Sequence, residues 1–132
     1  MKKHFTEEHV KEAFQIWNIL VREAKKKEVI TYKCLGDEIG KYHRHLRRPL
    51  DIIMHYCREH DEDLNGADFA TLVIDKSKKR PSNEKDWPDG LPDFQKEWGK
   101  NFVLVSEREI KNPGINKFKE VAQRLNSLDD PG

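Results

Sequence analysis

The sequence predicts an α+β domain, and three observations carry that reading. Two short helical segments meet at a glycine: Tyr32–Ile39 runs into Gly40, and a second lies between Tyr42 and His60. Two β-prone runs, Phe69–Asp75 and Phe102–Val105, follow. The long connection between them opens on four cations in five residues, Lys76 to Arg80. At 132 residues the chain has the size of one domain. Such a chain can bury roughly two thirds of its unfolded surface.

The first element is a helix from about Thr6 to Lys25. Thr6 suits the N-cap, and Glu7 and Glu8 suit the positive end of the helix dipole. Val10, Phe14, Trp17 and Val21 recur at helical spacing, with Ala13, Ile16 and Leu20 beside them. That stripe is wide enough to be core. Lys25, Lys26 and Lys27 close the helix at its negative end. Val29-Ile30-Thr31 is a short β-branched run, and Thr31 is placed to cap the helix Tyr32–Ile39. Gly40 fits the left-handed residue that ends it. The next helix buries Leu46, Leu50, Ile53, Met54 and Cys57. Pro49 falls within it and either kinks or splits it, or stands in a first turn after a short one-turn lead. Asn65-Gly66 is a turn signal, and Phe69–Asp75 reads as a strand. Lys76 to Lys100 reads as a long irregular stretch containing Pro81, Pro88, Gly90, Pro92 and Gly99. Trp87, Phe94 and Trp98 lie in it, so part of it should pack on the body. Phe102–Val105 reads as a further strand. Asn112-Pro113 reads as N-cap and first-turn proline of a last helix that buries Ile115, Phe118, Ala122 and Leu125. The tail from Ser127 should fray.

Charge is distributed unevenly. Hydrophobic residues make up 36% and charged residues 37%, with a net charge of only +1. Yet Lys41–Arg48 and Lys76–Arg80 together hold eight cations and no acid, leaving a net −7 on the other 119 residues. Local basic clusters on an acidic body are a common footprint of nucleic-acid binding. No apolar run approaches the roughly 20 residues that span a bilayer, and no secretory leader opens the chain, so no membrane partner is expected. Two cysteines, Cys34 and Cys57, make no disulfide framework. A reduced, cytoplasmic location is the expectation. The order helix, strand, helix, helix, strand, basic connection, strand is that of a winged helix, here in one domain over residues 1–132. Its second short helix would enter the major groove. The connection between the strands would be the wing.

Residues 29–50 read VITYKCLGDEIGKYHRHLRRPL. This run resembles the DNA-binding half of the alkylguanine-DNA alkyltransferase and alkyltransferase-like family. That family opens its winged helix-turn-helix with Val-x-Thr/Ser-Tyr-x-x-Leu-Ala-x-x-x-Gly. Val29, Thr31, Tyr32, Leu35 and Gly40 match, and Gly36 stands where a small residue belongs. The resemblance covers 22 of 132 residues. It implies that Tyr32 lies against a phosphate and that Arg44 occupies the place of the family's base-stack arginine. The family's reactive Pro-Cys-His-Arg motif should fall near the strand at Phe69–Asp75, which holds neither cysteine nor tryptophan. Alkyl transfer is therefore not expected. The expected activity is duplex DNA binding without catalysis.

The expected contacts are Tyr32, Lys41, His43, Arg44, His45, Arg47 and Arg48 from the helix-turn-helix, with Glu38 or Asp51 as alternative ion-pair partners of the arginines. Lys76, Lys78, Lys79 and Arg80 would form the wing. Arginine can grip guanine bidentately or hold phosphate. No cofactor is expected. Cys57-x-x-His60 has a zinc-ligand spacing, but His43-x-His45 completes no standard pattern with it. Asp75-Lys76-Ser77-Lys78 misses the acid-x-lysine spacing of nucleases by one residue. The competing class is a protein-interaction module that would use the same surface and exposed Trp87, Phe94 and Trp98 as aromatic anchors for a protein partner.

Overall fold

The computed structural model describes residues 4–75, 80–81 and 93–128. Helix α1 (Glu7–Lys25) starts at Thr6, whose hydroxyl accepts from His9 N–H at 3.3 Å. His9 Nδ1 accepts in return from Thr6 N–H at 3.0 Å, so His9 fills the capping-box position usual for Glu or Gln. An accepting imidazole must be unprotonated, and burial lowers the His9 pKa. Strand β1 (Ile30–Thr31) leads directly into α2 (Tyr32–Ile39), with Thr31 as N-cap to Cys34 N–H. Gly40 closes α2 at φ 70°, a conformation that glycine adopts without a Cβ penalty.

Pro49 takes the last of the three expected arrangements. A one-turn 3-10 lead (His43–His45) precedes α3 (Arg47–Glu59), and Pro49 is buried in the first turn of α3. There its missing N–H removes no helical bond. Leu46, Leu50, Ile53 and Cys57 are buried as expected, and Ile52 is buried where Met54 was expected.

The chain then turns at Asn65 and Gly66, both at positive φ. Only the end of Phe69–Asp75 is a strand. Asp68 Oδ1 accepts from Ala70 N–H at 3.0 Å, and Thr71 Oγ1 donates to Asp68 O at 2.7 Å. These local bonds curl Phe69–Leu72 into a 3-10 turn before β2 (Val73–Asp75). The described sheet has the order β1-β2-β3. β1 runs parallel to β2, pairing Ile30 with Val73. β3 (Arg80–Pro81) runs antiparallel to β2, pairing Asp75 with Arg80. Pro81 lies on β3, an edge of the described sheet, the kind of strand to which proline is largely confined.

The expected strand at Phe102–Val105 is instead part of helix α4 (Asp93–Glu107). The same helix replaces the last part of the expected irregular stretch. Asn101, Leu104 and Val105 are buried while Val103 is 53% exposed, a helical pattern rather than alternation. Trp98 Nε1 donates to Thr71 O at 2.7 Å, and Asn101 Nδ2 donates to Glu97 O at 2.9 Å, with longer bonds to Asp68 O and Thr71 Oγ1 at 3.3 Å. Docking of this face on the 3-10 turn overrides the strand propensity of Val103 and Val105.

Helix α5 (Ile115–Leu128) begins later than expected. Asn112 Oδ1 accepts from Gly114 N–H, and Asn112 Nδ2 donates to Phe14 O and Asn18 Oδ1. Asn112 therefore builds a turn against α1 instead of capping a helix. Gly114, at φ 97°, precedes the first turn of α5. Ile115 is consequently 42% exposed, and Val121 joins Phe118, Ala122 and Leu125 in the core. Helix α5 also extends through Ser127 and Leu128, where fraying was expected.

The core centres on Trp17, whose ring meets Phe69 at 5.0 Å, Tyr56 at 5.5 Å and Phe118 at 5.8 Å. Each fully buried large side chain contributes about 1.5–3 kcal/mol relative to exposure. Helices α1, α3 and α5 are held together by this cluster, which leaves the start of α3 at the surface. Among the described residues no helix is long and apolar enough to cross a membrane.

Candidate nucleic-acid interface

The candidate surface is built where α2 turns into α3. The turn is sewn to Gly36. Its carbonyl accepts from both Gly40 N–H and Lys41 N–H, the latter at 2.8 Å. A Cβ at Gly36 would stand 2.5 Å from Lys41 O and 3.2 Å from His43 Cα. A small residue is needed here because the returning backbone lies directly against α2.

Beyond this turn the eleven expected contact residues divide into groups. Arg44, in the 3-10 lead, and Arg47, the first residue of α3, are exposed. Neither has an ion-pair partner among the described residues. Glu38, a candidate counter-ion, is instead gripped bidentately by Arg22, at 2.6 and 3.0 Å. That grip lowers the Glu38 pKa and raises that of Arg22. Helix α3 adds to the positive field. Its first N–H groups lack intrahelical acceptors, its N-cap is Leu46 without a capping side chain, and its first turn holds no acid.

His43 and His45 flank Tyr42 on the same lead. The Tyr42 ring lies 4.7 Å from His43 and 5.4 Å from His45. Tyr42 is 54% exposed. The sequence reading did not include Tyr42. The available signal was an aromatic residue interleaved with Lys41, His43 and Arg44, the composition of a nucleic-acid surface.

Lys41 and Arg48 are engaged in the fold. Lys41 Nζ lies 2.7 Å from Glu12 Oε2, on a side chain only 5% exposed. The Glu12 bond raises the Lys41 pKa. Arg48 donates to His4 O at 3.0 Å and sits 5.7 Å over the Phe5 ring. Both cations tie chain segments together, and their charge is at least partly spent there. Tyr32 is half-buried, with its ring packed against the core.

Lys76, Lys78 and Lys79 form the connection between β2 and β3 and lie outside the described residues. Of Arg80 only the backbone pairing is described. Among the aromatic anchors weighed for a protein partner, Trp98 is committed to Thr71 O and the core, while Trp87 and the Phe94 side chain lie outside the described residues.

Cys57 and His60, which share a zinc-ligand spacing, are both engaged in the fold. Cys57 is buried, and burial pushes its thiol well above the ordinary range, away from a metal-binding thiolate. His60 stacks on Tyr56 at 4.1 Å, with its Nδ1 3.0 Å from Tyr56 O. Among the described residues no three His, Cys, Asp or Glu side chains are grouped as metal ligands. Comparison with protein-family models, with curated proteins and with solved structures gives no significant match.

Proposed function

We propose that this chain binds duplex DNA without catalysing a reaction, through the start of α3 and the basic connection between β2 and β3. The observation that carries the reading is the pair Arg44 and Arg47. They are exposed, without ion-pair partners among the described residues, and set at a helix start that itself favours anions. Placing two arginines at a helix start whose first turn holds no acid leaves both guanidiniums to grip phosphate or guanine in this reading.

The element order α1-β1-α2-α3-β2-β3 supports the winged-helix part of the proposal. So does the Gly36 contact, which accounts for the small residue in the resemblance to the alkyltransferase DNA-binding half. In this reading α3 enters the major groove from its N-terminal end and the β2–β3 connection reaches the backbone beside it. Lys41 holds the turn through Glu12 rather than a phosphate, and Arg48 holds the N-terminal segment. The cations that this reading assigns to DNA are then Arg44, Arg47, Lys76, Lys78, Lys79 and Arg80.

Fluorescence anisotropy with a random-sequence duplex at several salt concentrations tests the proposal. Six neutralised phosphates correspond to a log-log salt slope of about −5. Absence of binding at low salt would overturn it and leave an acidic protein as the partner that this basic surface fits.

A further inference from the structure

Tyr42 is the one exposed residue among the described Phe, Tyr and Trp. Most aromatic rings in the described chain pack against the core or lie within it. Its position is specific: it accepts from His45 N–H through its carbonyl, at 2.9 Å, and so starts the 3-10 lead into α3. The His43 and His45 rings approach it tilted by 51° and 80°, bracing the phenol. Arg44 lies between those histidines in sequence, and Arg47 opens the helix that follows. An exposed ring braced by two imidazoles, near in sequence to two arginines without ion-pair partners among the described residues, matches the two needs of an unstacked nucleotide, an aromatic surface for the base and cations for its phosphates.

A fully paired duplex presents no free base face to such a ring, because each base is covered by its neighbours. We infer that Tyr42 stacks on an unpaired base, so that the preferred ligand of this surface is a duplex interrupted by an extrahelical nucleotide. The inference rests on the nucleic-acid reading above and names the ligand class within it. Stacking on one aromatic side chain strengthens binding by about ten-fold or more.

The test compares a fully paired duplex with the same duplex carrying a single bulged 2-aminopurine, whose emission falls on stacking. The full-length protein should bind the bulged duplex about 10-fold more tightly at equal salt and quench the probe. Tyr42→Ala should abolish both the preference and the quenching while leaving the log-log salt slope unchanged, since no cation is removed. Tyr42→Phe should retain both, because the ring and not the hydroxyl does the stacking. Equal affinity of the wild-type protein for the two duplexes would overturn the inference while leaving duplex binding intact. So would a preference that survives in Tyr42→Ala. Failure to bind either duplex would overturn the nucleic-acid reading and this inference together.

Discussion

Gly36→Ala and Gly99→Ala are the same substitution in two helix interiors, and they should have opposite effects. A glycine in a helix interior costs about 1 kcal/mol relative to alanine. At Gly99, in α4, a new Cβ meets no described atom within 4 Å. Gly99→Ala should therefore stabilise the fold by about 0.5–1 kcal/mol. At Gly36 the same methyl would stand 2.5 Å from Lys41 O, well inside van der Waals contact. No rotamer relieves that contact, because both partners are fixed to backbone. Helix α2 and the turn must separate, and the Gly40 and Lys41 bonds to Gly36 O stretch with them. Overpacking of this kind costs about 1–3 kcal/mol, and a backbone clash belongs at the upper end. After the propensity gain, the net loss should be about 2 kcal/mol, or roughly 8 °C in Tm for a domain of this size. Urea unfolding followed by tryptophan fluorescence reads both variants, since Trp17 lies at the centre of the core. Equal midpoints for Gly36→Ala and Gly99→Ala would refute the argument that close approach of the turn demands glycine.

Three further outcomes follow from the same structure. Lys41→Ala leaves the buried Glu12 carboxylate unpaired and should destabilise the fold by about 3 kcal/mol, with Glu12→Gln in the same chain recovering part of the loss; urea midpoints of the single and double variants check this. In DNA binding, by contrast, a Lys41→Ala/Glu12→Gln protein should keep the wild-type salt slope, because Lys41 neutralises a carboxylate and not a phosphate. Burial raises the Asp68 pKa to about 6, against the opposing Ala70 N–H bond. The folded state then holds a proton that the unfolded state releases near pH 4, so this group's contribution falls as pH rises from about 4 to about 6 and is flat above, by about 3 kcal/mol at most. Asp68→Asn keeps an acceptor for Ala70 N–H and should remove that fall; matching pH profiles for the two proteins would contradict it.

The first half of the fold was legible because its signals are local. Thr6, Thr31 and Gly40 act within one helical turn of themselves, and each does in the structure what its residue type predicts. Helix α4 was not legible from Phe102–Val105, because four β-prone residues cannot reveal a bond between Trp98 and Thr71, 27 positions apart. Asn112-Pro113 misled for a related reason. The asparagine turns toward Phe14 O on another helix, 98 residues away, which no local pattern encodes. The same limit applies to the candidate site. Sequence reading treats Lys41, Arg44, Arg47 and Arg48 as one basic run. The fold separates them, since Glu12 lies under Lys41 while His4 O and the Phe5 ring take Arg48. Tyr42 was missed because residue type alone does not distinguish an exposed ring from a core one.

The most direct test of the central claim removes Arg44 and Arg47 together. Neither is buried and neither holds another described segment, so Arg44→Ala/Arg47→Ala should unfold at the wild-type urea midpoint within about 0.5 kcal/mol. Its affinity for duplex DNA should fall strongly, and its log-log salt slope should become shallower by about 2. A double variant that binds duplex DNA with wild-type affinity and slope would contradict the claim that the start of α3 is the DNA-binding surface.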